Sequence, residues 1–207
     1  MENIKNIIFD LGGIFLNIDF KKTESAFVDL GVTDFHHYYT QNHASALFQQ
    51  LETGKITPEE FHQSFIGQTG VQLSFEELKE AWNALLLDFP PERLHWLKKV
   101  RGKYKTFLFS NTNKIHYDAF SKSFYELTGE DFSSYFDKAY YSHQMGLRKP
   151  DSESFLYILN EQKLLPSETL FIDDTLKNIE GAQKVGLQTI HLAAPKTLLD
   201  LKLGDLK

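Results

Sequence analysis

The sequence predicts an α/β fold, a parallel sheet flanked by helices with a helical segment inserted near its start. Three observations carry this. The run Ile7-Ile8-Phe9 ends abruptly in Asp10, and two glycines follow, the pattern of a strand buried on both faces that opens into a loop at its carboxyl end. From Lys21 to Leu87 the periodicity is helical, with no convincing strand. From Pro91 onward short apolar runs alternate with amphipathic stretches, the rhythm of βαβ units.

After Asp10, residues 14–20 alternate apolar and polar, which predicts a short β-hairpin or flap. Thr23 to Leu30 reads as a helix ended by Gly31, and Ala44 to Leu51 as a second, stopped near Gly54. Thr57-Pro58-Glu59-Glu60 and Ser74-Phe75-Glu76-Glu77 are start signals, each with a hydroxyl cap and an acidic first turn. Asp88-Phe89-Pro90-Pro91 marks the return to the main domain. The boundaries are therefore set at 1–16 and 88–207 for the α/β core and 17–87 for the inserted unit. In the core, Pro91–Arg101 is a helix, Lys105–Phe109 a strand, Lys114–Leu127 a helix and 128–136 a polar loop. Lys138–Ser142 is a strand, Ser152–Asn160 a helix, Thr169–Ile172 a strand, Leu176–Lys184 a helix and Gln188–Leu192 the last strand.

Composition excludes several classes of function. A net charge of −6 with no basic block argues against nucleic acid or an anionic membrane as partner. There is no cysteine among the 207 residues, so disulfides and thiolate metal sites are out. No stretch approaches transmembrane length and no apolar leader precedes the first strand, from which a soluble, cytoplasmic protein is expected.

The chemistry lies at four strand ends, where open parallel sheets place their working sites. Asp10 follows the first strand, Ser110-Asn111-Thr112-Asn113 the second, Arg148-Lys149-Pro150 comes just beyond the third, and Asp173-Asp174 ends the fourth. Each alone has a plain reading: a turn aspartate, a helix cap, a solvated lysine. The adjacent carboxylates are the exception, because they repel each other after a buried strand unless a cation sits between them.

In this order the motifs resemble the haloacid dehalogenase (HAD) superfamily, specifically its phosphatases with a small helical cap after the first motif. The fold so implied is a Rossmann-like parallel-sheet core with a small all-helical cap. Phe9-Asp10-Leu11-Gly12-Gly13, Glu52-Thr53-Gly54-Lys55-Ile56, Gly146-Leu147-Arg148-Lys149-Pro150 and Asn178-Ile179-Glu180-Gly181-Ala182 further resemble the bacterial α-D-glucose-1-phosphate phosphatases. The resemblance implies a Mg²⁺-dependent phosphomonoester hydrolase working through an aspartyl-phosphate. Asp10 matches the nucleophile. Asp10, the backbone carbonyl of Gly12 and Asp174 match the Mg²⁺ ligands, with Asp173 acting directly or through water. Ser110 and Asn111 match the groups that bind the transferring phosphoryl group together with the Gly12 loop, and Lys149 matches the cation that neutralises it. His43 and Glu52 of the cap, Asn113 and Asn178 are further candidates: His43 to face the substrate, Asn178 to brace the Asp173-Asp174 loop. Glu52 and Lys55 either line the lid or lie in a solvated turn, and Asn113 either touches substrate or caps a helix. His36, His37, His116 and Arg148 receive no role.

One position departs from the superfamily pattern. Most of its phosphatases carry an acid/base aspartate two residues after the nucleophile, and here that position is Gly12. Three rivals follow. A non-catalytic phosphate-binding or regulatory protein fits Gly12; a 2-haloacid dehalogenase is opposed by the bare Asp173-Asp174 pair; a phosphomutase would also want the missing aspartate. Without general acid assistance, easily departing groups are favoured, which points to hexose 1-phosphates over 6-phosphates, glucose 1-phosphate among them. The partner is a small phosphate ester, and a monomer or weak dimer is expected.

Overall fold

The computed structural model describes residues 3–201. Its main sheet has five parallel strands in the order β5-β4-β1-β6-β7. These are β1 (Asn6–Phe9), β4 (Lys105–Ser110), β5 (Lys138–Tyr141), β6 (Thr169–Asp173) and β7 (Gln188–His191). β1 lies at the centre because its four residues are buried throughout. Its register pairs Phe9 with Leu108 on one side and with Ile172 on the other. The chain runs outward from β1 to one edge and then crosses to the other, so the switch in strand order falls where β1, β4 and β6 end.

Alternation along the strands divides the core in two. Ile7, Phe9, Leu108, Leu170 and Ile172 face Trp96 and Leu97 of α5 (Pro91–Arg101) and Phe120 and Phe124 of α6 (Lys114–Thr128). Ile8, Phe107, Phe109 and Phe171 face Phe155 and Ile158 of α8 (Ser152–Gln162) and Ile179 of α9 (Leu176–Lys184). Each fully buried large apolar side chain contributes about 1.5–3 kcal/mol, so residues such as Phe171 fix both the sheet and the loops at its end.

Between β1 and α5 the chain forms α1 (Phe20–Asp29), a hairpin of β2 (Tyr39–Thr40) and β3 (His43–Ala44), α2 (Ala46–Glu52), α3 (Pro58–Thr69) and α4 (Phe75–Asn83). These elements share their own apolar cluster, built on Phe27, Phe35, Phe48, Phe61, Phe65 and Trp82. Phe27 and Phe35 stack with centroids 4.3 Å apart. Five phenylalanines fill this cluster, and the two clusters on the sheet hold eleven more. Both capping boxes form, Thr57 with Glu60 and Ser74 with Glu77.

Three local expectations fail. Residues 14–20 make no hairpin of their own: Leu16 bridges back to Gly12, and Ile18 pairs antiparallel with Leu86. Their alternation reflects pairing with the distant returning strand of chain, and α1 starts at Phe20, where Asp19 caps it by accepting from the Lys21 amide. The inserted unit is not purely helical, because Tyr39–Ala44 turns back on itself as the β2–β3 hairpin; strands of two residues leave no periodicity to read. The 128–136 loop holds a 3-10 turn, Phe132–Tyr135, with Phe132 buried. Among the described residues no helix is long and apolar enough to cross a membrane.

Candidate active site

The ends of β1, β4 and β6 converge on a cleft of about 390 Å³. From the core it is lined by Asp10, Gly12, Ser110, Asn111, Lys149 and Asp174, and from the inserted unit by Tyr39, Gln41, His43 and Glu52. The predicted strand-end residues are thus brought together. Asp10 leaves the sheet with its amide bonded to the Ile172 carbonyl at 2.9 Å. The turn behind it requires glycine at position 13: φ is +70°, and a Cβ there would lie 2.6 Å from Asp174 Oδ2. Bare backbone at Gly13 is what allows the β6 loop to close onto the β1 loop.

Lys149 is the centre of the charge arrangement. Its Nζ, 1% exposed, donates to Asp10 Oδ1 and to Asp173 Oδ2, each at 2.7 Å. Asn111 holds it in place from the backbone, its amide donating to the Lys149 carbonyl and its Oδ1 accepting from the Lys149 amide, both at 2.9 Å. The two carboxylates of β6 differ sharply. Asp173 is fully buried and accepts from Lys149, from the Thr175 amide at 2.8 Å and from Asn178 Nδ2 at 3.1 Å. Asp174 lines the cleft and, among the described residues, accepts from the side chains of Thr175 at 3.0 Å and Gln41 at 3.2 Å.

Asp10, Asp173 and Asp174 each offer an oxygen within 4.8 Å of the others, and the Lys149 ammonium bonds Asp10 and Asp173, with no salt bridge to Asp174 among the described residues. Burial pushes the Asp10 carboxyl up to about 7, with Asp173 and Asp174 adding to the rise against the pull of Lys149. Burial and Asp173 push Asp174 up to about 6. Burial acts to lower the Lys149 ammonium, but the two carboxylates beside it outweigh that and hold it above the ordinary lysine value. An all-oxygen cluster carrying surplus negative charge fits a hard divalent cation.

The remaining candidates separate. Asn178 donates through Nδ2 to both Asp173 oxygens at 3.1 Å. Asn113 is outside the cleft and caps α6, its Oδ1 accepting from the Ile115 and His116 amides. His43 is exposed and its ring bonds the His37 carbonyl at the cleft rim. Glu52 is 2% exposed, so the solvated-turn alternative fails for it, while Lys55 is exposed. Burial pushes the Glu52 carboxyl up against the pull of Arg148 and Tyr39. Four contributors went unassigned in the sequence. Arg148 pairs with Glu52 through Nε at 2.9 Å and Nη2 at 2.8 Å, and Tyr39 donates to the other Glu52 oxygen at 3.1 Å. Gln41 reaches Asp174 from the hairpin tip. His116, whose Nδ1 faces Asn113 Nδ2 at 3.1 Å, bonds the Trp82 carbonyl through Nε2 at 2.9 Å. The seam has one further requirement readable in hindsight: Gly54, at φ +62°, would place a Cβ 2.1 Å from the His143 carbonyl. The glycine in Glu52-Thr53-Gly54 is thus a point of close approach to the core.

Comparison with known proteins agrees with this geometry. The chain is 34% identical over 188 residues to the D-ribitol-5-phosphate phosphatase of Bacteroides thetaiotaomicron, covering 91% of each protein. It is 28% identical over 193 residues to a sesquiterpene phosphatase of Aspergillus oryzae, covering 91% of this chain and 89% of that one. Among solved structures, a mutant HAD family enzyme of Bacteroides thetaiotaomicron in complex with magnesium and inorganic phosphate superposes with a TM-score of 0.89 at 33% identity, covering 96% of this chain and 100% of that one. The sequence model of haloacid dehalogenase-like hydrolases matches residues 7–192, and the chain belongs to that family.

Proposed function

We propose that this protein is a Mg²⁺-dependent phosphomonoester hydrolase that acts through an aspartyl-phosphate on a small, hydroxyl-rich phosphate ester. The observation that carries the reading is Lys149 shared between Asp10 and Asp173 at 2.7 Å each, with Asp174 beside them at the cleft. Lys149 occupies Asp10 Oδ1 and leaves Oδ2 to attack phosphorus. The P–O ester bond breaks as the Asp10–phosphorus bond forms, and water then cleaves the acyl phosphate. Ser110 and Asn111 line the cleft beside Asp10 and are assigned to the transferring phosphoryl group.

Asp10, Asp174 and the Gly12 carbonyl would hold Mg²⁺, with Asp173 a support for Lys149 and the loop, because its oxygens are already taken by protein donors. The metal supplies charge neutralisation at the phosphoryl group. Asp174, a carboxylate facing the cleft with no side-chain cation bonded to it among the described residues, remains the argument against a site for a haloacid anion.

The substrate class draws support from the relative that acts on D-ribitol 5-phosphate. That ester is a primary alkyl phosphate, so the family likeness does not favour glucose 1-phosphate, which leaving-group chemistry alone would prefer. With no side chain at Gly12, the departing alkoxide takes its proton from water. Phosphate release from D-ribitol 5-phosphate, glucose 1-phosphate and p-nitrophenyl phosphate, with and without Mg²⁺, tests the reading. Tight binding of phosphate with no metal-dependent release would instead establish the binding-only alternative.

A further inference from the structure

Glu52, buried, and Arg148, half-buried, form an ion pair that the phosphoryl chemistry does not use. Glu52 ends α2 in the inserted unit, and Arg148 immediately precedes Lys149 in the core. Both Arg148 contacts fall on one carboxylate oxygen, Nε at 2.9 Å and Nη2 at 2.8 Å, while Tyr39 donates to the other oxygen at 3.1 Å. A guanidinium has five N–H donors, and among the described residues Arg148 donates to Glu52 alone. Its side chain is 21% exposed, and it lines the same cleft as Asp10 and Ser110.

An ion pair with a buried carboxylate is poor evidence for a stabilising role, because desolvation offsets most of the attraction. It does fix a planar fork of donors in one orientation before any ligand arrives, so little side-chain freedom is left to lose on binding. One face of that fork is committed to Glu52, and the free donors belong to a residue next in sequence to the lysine that holds Asp10. We propose that Arg148, clamped by Glu52 and Tyr39, is the specificity-determining group that donates to the hydroxyl oxygens of the substrate while the phosphoryl end sits at Asp10. Since the clamp is assembled from both the core and the inserted unit, recognition of a polyol and apposition of the two units are one event. The inference rests on the phosphatase reading for its substrate class.

The test is a selectivity ratio, the kcat/KM on D-ribitol 5-phosphate divided by that on n-pentyl phosphate, which has the same chain length and no hydroxyls. Wild type should prefer the polyol ester. Arg148→Gln and Glu52→Gln should each lower the ratio by about 10–100-fold, the usual worth of hydrogen bonds to a charged group. Because either single change strands its partner, the double variant Glu52→Met, Arg148→Met is made as well; it replaces the pair with apolar groups of similar length and should lose the preference equally while staying folded. A wild type without preference, or variants in which both substrates change in parallel, would show that the pair is only a latch. Calorimetry in the Asp10→Asn background, comparing D-ribitol 5-phosphate with inorganic phosphate in the presence of Mg²⁺, reads the same ratio without turnover. Loss of polyol binding in the clamp variants there, with no phosphate release by wild type, would sink the phosphatase reading and leave the clamp standing.

Discussion

Asp173 and Asp174 are neighbours in sequence, yet their surroundings predict opposite consequences for the same substitution. Replacing Asp173 by Asn removes its attraction to Lys149 at 2.7 Å, about 6 kcal/mol at an effective dielectric of about 20. It also removes repulsions from Asp10 and Asp174, whose oxygens lie within 4.8 Å and which cost roughly 3–4 kcal/mol each on the same scale. The charge effects nearly cancel. What remains is the hydrogen bonding: the Thr175 amide and Asn178 now meet an amide with one acceptor oxygen, a net loss of about 1–3 kcal/mol. Asp174→Asn relieves the same kind of repulsion and gives up no cation, so the metal-free protein should gain about 1–3 kcal/mol. For a chain of this size each kcal/mol moves Tm by about 2–4 °C. Differential scanning calorimetry without metal should therefore show Tm raised by Asp174→Asn and lowered by Asp173→Asn. The upward shift that Mg²⁺ gives the wild type should vanish in Asp174→Asn and persist in Asp173→Asn. Equal loss of the Mg²⁺ shift in both variants, or a reversed order of metal-free Tm values, would refute the division of labour.

Three further outcomes are expected. Asp10→Asn should fold, bind phosphate and release none from any ester, since an amide is not a nucleophile; release above the level of a mock purification would remove Asp10 from its role. Gly12→Asp should also fold, because a Cβ there meets only the flexible tip of Ile18, Cδ1 at 2.9 Å. Across aryl phosphates of graded phenol acidity, its rate should depend less steeply on the leaving group than wild type's, by up to about 10²–10⁴-fold for the poorest. His116 is held neutral, its pKa lowered by burial to about 4 from 6.5, so the unfolded chain binds the extra proton between those values. Stability should fall by up to about 3 kcal/mol as pH drops from 6.5 to 4, and in urea titrations His116→Gln should remove that part of the slope.

Much of this was legible in the sequence because it is written in short-range chemistry. A strand buried on both faces has to be apolar at every position, so Ile7-Ile8-Phe9 announces itself, and so does the carboxylate that ends it. Thr57 and Ser74 announce helix starts because four backbone N–H groups need acceptors there. The hairpin at Tyr39–Ala44 carries no such mark: its strands are two residues long, and its stability comes from Tyr39 packing against Trp82 at 4.6 Å, a contact across distant sequence. Arg148 was passed over for the same reason. Its partner lies 96 positions away, and an arginine beside a lysine in a Gly-Leu-Arg-Lys-Pro loop looks like ordinary solvated charge until the fold shows Glu52 buried against it.

The seam between the core and the inserted unit ties these observations together. Its polar contacts are Glu52 with Arg148, Gln41 with Asp174, the His116 ring with the Trp82 carbonyl, and Lys177 with the Asn42 carbonyl at 3.0 Å; its apolar contacts include Ile115 of α6, buried in the cluster of the inserted unit, and the His116 ring stacked on Trp82 at 4.4 Å. The apolar side chains of the two units fall largely into separate clusters. Three of the four polar contacts involve a charged group and are worth about 1.5–3 kcal/mol net each, the neutral one about 0.5–1.5 kcal/mol. The two units are therefore joined around the cleft by directional polar contacts, with Ile115 as the core side chain seated in the other unit's cluster. Gln41 and Arg148 each bind a partner across the seam and also line the cleft, so the same side chains that join the two units shape the site beside Asp10.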